Sequence, residues 1–467
     1  MSRASSEYDV IVVGGGNAAL CAALAAREQG ARVIVLERAP QHMRGGNSRH
    51  TRNLRCAHDA QVSYMTGVYT EAEFLEDLIG VTGTPLNHDL TRLLVQASRD
   101  VPHWMAARGA RWQAPIAGTL ALSRTNLFFL GGGKALLNAY YDRIARLGVD
   151  VLYDTGVVDL LLDGPHLEGV VTADGGVIRG KAAVIAAGGF EANLDWLSDH
   201  WGPAARNFIV RGTPYNDGTL LHLLLGKGAL AVGDPREFHG VAVDARAPKY
   251  DGGIATRVDA IPLGIVVNRL GRRFYDEGED LWPKRYAIWG RLIAQQPGQI
   301  AFAVLDARTI DGFIPPMFPP LTARSLVDLA GQLDAQFGLD RMEFVRTVEE
   351  FNQATRHNTH IQPDVLDGAS TRGLHPPKSN WALPIEHPPF HAFPTRPGIT
   401  FTYLGVAADA CARVLQKDGT PFRNLYAAGE IMAGNILTRG YLAGIGMTIG
   451  TVFGRIAGTE AVRHATR

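Results

Sequence analysis

The chain has 467 residues, of which 46% are hydrophobic and 20% charged, as in ordinary soluble globular proteins. Its 46 basic and 46 acidic residues cancel, which excludes a global field that gathers nucleic acid or anionic lipid. No window approaches the roughly 18 consecutive apolar residues of a membrane helix, and the three cysteines are too scattered for a disulfide framework, a metal site or an iron–sulfur cluster. With no apolar leader before Tyr8, the sequence predicts a cytoplasmic protein that does not span a membrane.

A βαβ unit is predicted at the start of the chain. Tyr8–Val13 has the pattern of a buried strand, a glycine turn then enters an Ala-rich helix, and Ala31–Leu36 has the pattern of a second strand. The turn reads Gly14-x-Gly16-x-x-Ala19, which supplies a tight turn and bare backbone for a pyrophosphate at a helix N-terminus. Glu37 follows the second strand, where an acid binds a ribose hydroxyl. The pattern predicts a dinucleotide site; a glycine turn of another doubly wound fold is the alternative.

Two later runs, residues 182–189 and 424–430, also have the pattern of strands that end in small residues. A long extended cofactor would pass such strand ends, and segments of this kind recur in FAD proteins. The sequence therefore favours FAD over a nicotinamide cofactor.

Several longer strings carry a family resemblance. They are Gly45-Gly-Asn-Ser48, Gly131-Gly-Gly-Lys-Ala135, Ala186-Ala-Gly-Gly-Phe-Glu191, Asn268-Arg-Leu-Gly-Arg-Arg-Phe-Tyr-Asp-Glu277 and Tyr426-Ala-Ala-Gly-Glu430. On these strings almost the whole chain resembles the flavoprotein subunits of fumarate reductase and succinate dehydrogenase and the 3-ketosteroid dehydrogenases. The stretches 45–55, 275–290 and 397–403 look most like the FAD-dependent tricarballylate dehydrogenases.

The resemblance implies an α/β fold in which a Rossmann-like FAD-binding domain is interrupted by an α+β capping domain. Carried over by motif, the FAD-binding domain is expected at residues 1–233 and 401–467, with the cap at residues 234–400. The Pro-rich stretch Pro376–Pro397 is predicted to be a return linker, and Leu326–Gln353 to form two helices on the cap surface.

The same resemblance implies FAD, bound without a covalent link. The residues expected to contact it are Gly14, Gly16, Asn17, Ala18, Ala19, Glu37, Arg38, Gly46, Asn47, Ser48, Gly133, Val157, Ala187, Gly188, Gly189, Asp217, Gly429, Glu430, Gly444, Gly446 and Met447. Gly444–Gly450 is expected to open a helix whose N–H groups face the flavin.

A dehydrogenase of this class passes a hydride to the flavin and a proton to a protein group, so it needs a proton acceptor and cations for carboxylates. In the relatives a cap-domain arginine transfers the proton, and the matching position is Arg285. An arginine stays protonated far above neutrality, so it would relay a proton within a charged cluster or clamp a carboxylate. A surface arginine is the alternative.

The substrate is expected to meet residues on the cap and near the C-terminus, namely His239, Thr256, Arg257, Thr402, Tyr403, Arg439 and Tyr441. Arg257 stands where the fumarate reductase pattern has an acid, which adds the charge that a third carboxylate requires. Tyr441 falls where that family has a substrate arginine and the ketosteroid dehydrogenases a tyrosine, and Arg439 could supply the lost charge. For His239 a packed core histidine is the alternative.

Arg49, Arg52 and Arg55 recur every third residue around His50. On a helix they would form a solvated basic stripe, although one or more could instead reach substrate or phosphate. A covalent flavin link through this segment is disfavoured, because the attachment point falls nearer Asn47.

Together these features predict a cytoplasmic FAD-dependent dehydrogenase that oxidises tricarballylate to cis-aconitate. The resemblance implies a separate iron–sulfur protein at the membrane as the electron acceptor. A fumarate reductase-like or 3-ketosteroid-type oxidoreductase is the alternative enzyme, and a flavin-binding sensor without turnover is the alternative outside enzymes.

Overall fold

The structure is a computed structural model that describes residues 8–115 and 122–466. Residues 1–7, on which the prediction of no leader segment depends, lie outside the described residues. The strands, in chain order, are β1 Tyr8–Val13, β2 Val33–Leu36, β3 Asn53–Arg55, β4 Asn126–Phe128, β5 Asp150–Leu152, β6 Val157–Asp163, β7 His166–Thr172, β8 Val177–Ile185, β9 Ile209–Val210, β10 Ala231–Val232, β11 Phe238–Asp244, β12 Ile265–Asn268, β13 Ala301–Leu305, β14 Leu321–Ala323, β15 Phe390–Thr402, β16 Gly405–Val406, β17 Arg413–Leu415 and β18 Pro421–Ala427.

The α-helices alternate with these strands. In chain order they are α1 Asn17–Arg27, α2 Glu71–Thr82, α3 His88–Ala97, α4 Val101–Ala106, α5 Gly132–Arg146, α6 Leu194–Trp201, α7 Thr219–Gly226, α8 Trp282–Arg285, α9 Trp289–Ala294, α10 Leu326–Phe337, α11 Arg341–Thr355 and α12 Ile445–Ala465. No helix within the described ranges has the length and apolar character that crossing a bilayer requires.

The larger sheet carries the predicted βαβ unit. Its strands run in the order β17-β18-β8-β1-β2-β5, with β6 and β7 extending it beyond β8. Strand β1 is parallel to both β2 and β8, and β18 is parallel to β8, so the carboxyl ends of these strands meet at one edge. Strands are confirmed at all four predicted places, residues 8–13, 31–36, 182–189 and 424–430, with different bounds for three of them: β2 starts later, and β8 and β18 both start and end earlier than predicted.

Helix α1 lies close to α12, and glycines allow the approach. A Cβ on Gly454 would be 2.4 Å from Ala18 O, and one on Gly458 would be 2.3 Å from Ala22 O. The smallest side chains therefore let the two backbones pack directly, which fixes the N-terminus of α1 beside that of α12.

A second, mostly antiparallel sheet runs in the order β11-β15-β13-β12, with β14 and β9 also paired to β15. Helices α10 and α11 cover it through a core that includes Leu329, Phe344 and Phe351. The two predicted helices in 326–353 are confirmed.

The prediction of a linker over residues 376–397 is wrong at its end, because β15 begins at Phe390. This 13-residue strand runs past residue 400, where the capping domain was expected to end, and β9 of the expected FAD-binding part pairs with it. The domain boundaries themselves stay a prediction.

Candidate functional site

One long cavity begins at the glycine turn between β1 and α1. Gly14 adopts φ +113°, and a Cβ there would be 2.4 Å from Ala186 O. The N-cap residue Gly16 has no side chain to cap α1, and the Ser48 hydroxyl accepts only the first N–H, that of Asn17, at 3.0 Å. The next N–H groups of this helix N-terminus are suited to an anion. Gly14, Gly16, Asn17 and Ala18 all line the cavity.

Acidic and basic side chains mark one end of this cavity. The carboxylate of Glu37 accepts hydrogen bonds from the backbone N–H groups of Ala39 at 2.9 Å and Gly45 at 3.1 Å, and burial raises its pKa. Arg38 forms a salt bridge with Asp217 at 2.5 Å, and both line the cavity beside Val157. This end has the polar groups that an adenosine moiety requires.

A buried carboxyl pair lies farther along the wall. The Glu430 carboxylate accepts from the backbone N–H of Thr402 at 2.7 Å, and Glu191 accepts from Asn216 at 2.8 Å and from Asn47. Burial raises the pKa of Glu191 to about 7, and burial together with the charge of Glu191 raises the pKa of Glu430 well above its usual range. The pair therefore holds a proton at neutral pH.

Aromatic rings form part of the opposite end. The imidazole of His239 stacks on Tyr441 with centroids 3.9 Å apart and planes 10° apart, and it meets the edge of Tyr286 at 5.4 Å. Neither ring nitrogen of His239 has a hydrogen-bond partner within the described part of the chain, although the residue is only 4% exposed. Burial, with the charge of Arg211, lowers the pKa of His239 well below its usual value. A neutral, unpartnered imidazole in a cavity wall is ready to bind a polar ligand.

Three arginines, Arg52, Arg211 and Arg257, line the same end of the cavity. Asp259 pairs with two of them, at 2.7 Å from Arg257 and 3.2 Å from Arg52. The third, Arg211, is 6% exposed and donates from Nε to Thr400 at 3.0 Å. No carboxylate of residues 8–115 or 122–466 lies within salt-bridge distance of Arg211, and burial lowers the pKa of its guanidinium.

Most of the residues expected to bind the cofactor line the cavity. They are Gly14, Gly16, Asn17, Ala18, Glu37, Arg38, Gly46, Asn47, Ser48, Val157, Ala187, Gly188, Asp217, Gly429, Glu430, Gly444, Gly446 and Met447. The other three lie behind the wall: Ala19 is fully buried in α1, a Cβ on Gly133 would meet Ser48 O, and one on Gly189 would meet Glu430.

The residues expected to bind substrate are divided. His239, Arg257 and Tyr441 line the cavity, whereas Thr256 and Thr402 are buried beside it. The Thr256 hydroxyl donates to Gly253 O at 3.0 Å, and Thr402 accepts from the backbone N–H of Phe190 at 3.2 Å.

Tyr403, Arg439 and Arg285 do not line the cavity. The Tyr403 hydroxyl donates to Gly440 O, and Arg439 is exposed beside Gly83. Arg285 ends α8 and forms a salt bridge with Glu279 at 3.2 Å. Of the eight residues expected to bind substrate or transfer its proton, the structure therefore brings three to the cavity wall: His239, Arg257 and Tyr441.

The prediction that Arg49, Arg52 and Arg55 form a solvated stripe on a helix is wrong. Residues 46–50 form a short 3-10 helix and β3 follows, so Arg49, Arg52 and Arg55 do not share a helix face. Arg49 and Arg55 are 8% and 1% exposed, and Arg52 lines the cavity. Its place in the cavity fits the alternative given for these arginines, that one or more reach substrate or phosphate. Arg211 was not among the predicted site residues, although it directly follows a short apolar run.

The fold and this cavity define a mixed α/β flavoprotein with an extended dinucleotide site. The crowded glycine turn, the N-terminus of α1 and Glu37 all fit FAD. Residues 9–447 match the family described as FAD binding domain, and the chain belongs to that family.

The chain is similar to oxidoreductases of this kind. It is 28% identical to the NADH:fumarate oxidoreductase of Klebsiella pneumoniae (strain 342), with 99% of this chain and 48% of that protein aligned. It is 26% identical to the probable fumarate reductase Ifc3 of Shewanella frigidimarina (strain NCIMB 400), with 99% and 76% aligned. The chain thus spans about half of the first relative and three quarters of the second.

Two solved structures share the fold. The open conformation of a flavocytochrome c3 fumarate reductase matches with a TM-score of 0.74 and 23% identity, covering 99% of this chain and 80% of that chain. The 3-ketosteroid-delta4-(5alpha)-dehydrogenase of Rhodococcus jostii RHA1 matches with a TM-score of 0.71 and 20% identity, covering 98% and 97%.

Proposed function

We propose that the protein is an FAD-dependent dehydrogenase that oxidises tricarballylate to cis-aconitate. Two hydrogens leave adjacent carbons of the substrate and a C=C bond forms between them. FAD, when bound, supplies the acceptor for the hydride and its two electrons, and a protein group takes the proton.

The observation that carries this proposal is the charge of the cavity wall. Arg52, Arg211 and Arg257 bring three positive charges, and Asp259 is the carboxylate that pairs with two of them. Buried charge without a partner is unfavourable, so an anionic ligand stabilises this wall. A tricarboxylate offers one carboxylate to each guanidinium, and Arg211 is open to form a bidentate pair.

The remaining wall residues orient the substrate. His239 can donate or accept a hydrogen bond, because both ring nitrogens lack partners within the described residues. Tyr441 is fixed by the His239 stack and by the backbone N–H of Gly446, which donates to its hydroxyl at 2.8 Å. Burial raises the pKa of Tyr286 to about 12, so its hydroxyl stays protonated and available as a donor.

Arg285, expected from the resemblance to accept the proton, remains a candidate for that role. Its pairing with Glu279 outside the cavity wall means that it acts only after a rearrangement of α8.

Two other enzyme classes bear on the proposal. A fumarate reductase-like activity on a dicarboxylate is favoured by the names of the relatives and by the charge balance, since Asp259 offsets one of the three arginines. A steroid would leave the arginines buried without partners, which disfavours that class.

Anaerobic rapid mixing tests the proposal. If each of the three guanidiniums binds one substrate carboxylate, succinate loses one of these contacts at a cost of about 2 to 4 kcal/mol, and tricarballylate should bleach the bound flavin with a kcat/KM about 30- to 1000-fold above that for succinate. Comparable values for succinate would favour the dicarboxylate enzyme. No bleaching by either acid would favour a flavin-binding sensor.

The electron acceptor and the compartment also belong to the proposal. We expect the reduced flavin to pass its electrons to a separate iron–sulfur protein at the membrane, from the cytoplasmic side. Among the described residues, no group of three or more His, Cys, Asp or Glu side chains is arranged to hold a metal ion.

A further inference from the structure

His50 lies at the substrate end of the cavity. It closes the short helix Gly46–His50, is 5% exposed and lines the cavity wall. Asp251, which lies 2.6 Å from Nε2 of His50, donates its backbone N–H to the residue that follows Arg211, so His50 lies near this arginine. In agreement with this position, the charge of Arg211 contributes to lowering the pKa of His50.

A carboxylate lies at ion-pair distance from this imidazole, outside hydrogen-bond geometry. Nε2 of His50 is 2.6 Å from Oδ1 of Asp251, whose backbone N–H donates to Gly212 O at 2.8 Å, one residue from Arg211. Asp251 sits at φ +55°, a left-handed conformation that Asp and Asn tolerate better than other side chains. A carboxylate in this position orients an imidazole and stabilises the imidazolium that forms when the ring takes a proton.

Arg285 offers a poorer acceptor. A guanidinium has five N–H donors and no acceptor atom. Arg285 is in addition bound to Glu279 away from the wall. An imidazole has a neutral form with a lone pair, which is what removing a proton from carbon requires.

We propose that His50 is the general base of the reaction and that Asp251 is its positioning residue; this rests on the proposed function. As the hydride leaves one carbon for FAD, the imidazole takes the proton from the neighbouring carbon, and the electron pair of that C–H bond becomes the C=C bond. The imidazolium is stabilised by Asp251 and later releases the proton to solvent.

The surroundings of His50 keep its imidazole neutral at neutral pH, as a general base requires. Burial and the positive charges of Arg211, Arg49 and Lys134, opposed by Asp251, together lower its pKa to about 4. Substrate carboxylates at the arginines offset those positive charges, so they raise the pKa of His50. Binding of a tricarboxylate should therefore increase the protonated fraction of His50 at pH 5 to 6, whereas the reaction proceeds from the neutral imidazole at higher pH.

The first test compares variants of the FAD-loaded protein by anaerobic rapid mixing with tricarballylate. His50→Gln should reduce the flavin at least about 100-fold more slowly, the usual size of a general base effect, with the Kd of citrate changed less than about threefold. His42→Gln, an exposed histidine on the same segment, is the control and should match the parent. A parent-like rate for His50→Gln together with slow reduction by Arg285→Lys would overturn the proposal.

The second test does not depend on turnover. Citrate binding is measured by calorimetry at pH 5 to 6 in buffers of different ionisation enthalpy, which reports the protons taken up. The parent should take up more protons than His50→Gln. Protons taken up or released by citrate itself are the same in both experiments, so they cancel when the two values are subtracted. Equal uptake would overturn the proposal.

Asp251→Asn keeps the left-handed backbone and removes the charge. It should slow flavin reduction at least tenfold and shift proton uptake to lower pH, whereas a purely structural role would leave the pH profile in place. This variant also decides the question if His50→Gln fails to hold FAD. A parent that neither tricarballylate nor succinate reduces would overturn the proposed function, whereas a reduced parent with an unchanged Asp251→Asn profile overturns only the role of His50.

Discussion

The two ends of the cavity are lined by different kinds of groups, backbone at one end and charged side chains at the other. At the cofactor end, residues 14–18 and 186–188 bring backbone and glycine against the ligand, and a Cβ on Gly14 or Gly188 would meet an atom within 3 Å. At the substrate end, Arg52, Arg211 and Arg257 present charged side chains from three distant segments. Cofactor binding is therefore sensitive to added volume, and substrate binding to lost charge.

The largest effect is expected at the cofactor end. Gly14→Ala places a methyl group 2.4 Å from Ala186 O and should raise the Kd for FAD at least about 100-fold, measured as flavin retained after gel filtration. Gly30→Ala is the matched control, since Gly30 has φ +90° with nothing within 4 Å of its Cβ. It should lose only about 1 kcal/mol of unfolding free energy from backbone strain and stay yellow. Equal flavin loss in both variants would assign the effect to strain rather than to contact.

Next comes the charge at the substrate end. Arg211→Met keeps the length of the side chain but removes the cation that has no carboxylate among the described residues, so the Kd for citrate should rise about 30- to 1000-fold. The free energy of unfolding should not fall, because a buried unpaired charge is replaced by an apolar group. Arg206→Met is the control, since the Arg206 side chain is 73% exposed and its nearest acid is 3.9 Å away. Citrate binding unchanged in Arg211→Met would remove this residue from the substrate site.

A smaller effect belongs to the carboxyl pair between the two ends. Glu191 and Glu430 have pKa values raised by burial, so the stability they contribute is complete below their usual pKa of about 4.5 and is lost as the pH rises through about 7. The parent should lose about 2 to 3 kcal/mol of unfolding free energy between pH 5 and 8 from this cause, measured by urea denaturation with saturating FAD. Glu191→Gln should flatten that dependence. Glu349 is exposed, and Glu349→Gln is the control that should leave the pH dependence of the unfolding free energy as in the parent. A parent-like pH dependence for Glu191→Gln would mean that the pair does not hold a proton.

The smallest effect is expected for the ion pair at the adenosine end. The Arg38 and Asp217 side chains are 44% and 29% exposed, so water screens their attraction. Arg38→Gln should raise the Kd for FAD by no more than about fivefold, which fluorescence titration can resolve. A change as large as that of Gly14→Ala would mean that side-chain charge, rather than backbone, dominates the cofactor end.

The same contrast explains what the sequence could predict. The glycine turn, α1 and Glu37 occupy one continuous stretch, so their local pattern determined both the fold and the cofactor. Arg211 and His50 are 161 positions apart in the sequence and line one cavity only because β9 and the segment 46–50 reach the same wall, which no local pattern records. Arg285 was placed by counting along a resembling string, and counting cannot show that Glu279, a near neighbour in sequence, holds it.

Strand β15 was missed for a different reason. Pro394 and Pro397 cannot donate to a sheet, and prolines of this kind usually indicate a loop. Here their carbonyls and neighbours still pair: the backbone N–H of Ala245 donates to Pro394 O at 2.8 Å, and Pro397 is in register with Ala242. Tertiary pairing on both sides overrides the local signal.

The course of β15 has a mechanical consequence. Its far end lies in the second sheet at Phe390, while its near end is anchored by the hydrogen bond from Thr402 to Glu430 beside the cofactor cavity. At about 3.3 Å per residue, the strand has a length of roughly 40 Å. Arg211 follows β9, and His239 is the second residue of β11 and is in register with Phe401, so both lie beside the anchored end, where β15 pairs with these strands. A rotation of the second sheet about that end would carry its outer edge through a wide arc and displace the clamping groups little, so the mouth of the cavity could open while the binding geometry is kept.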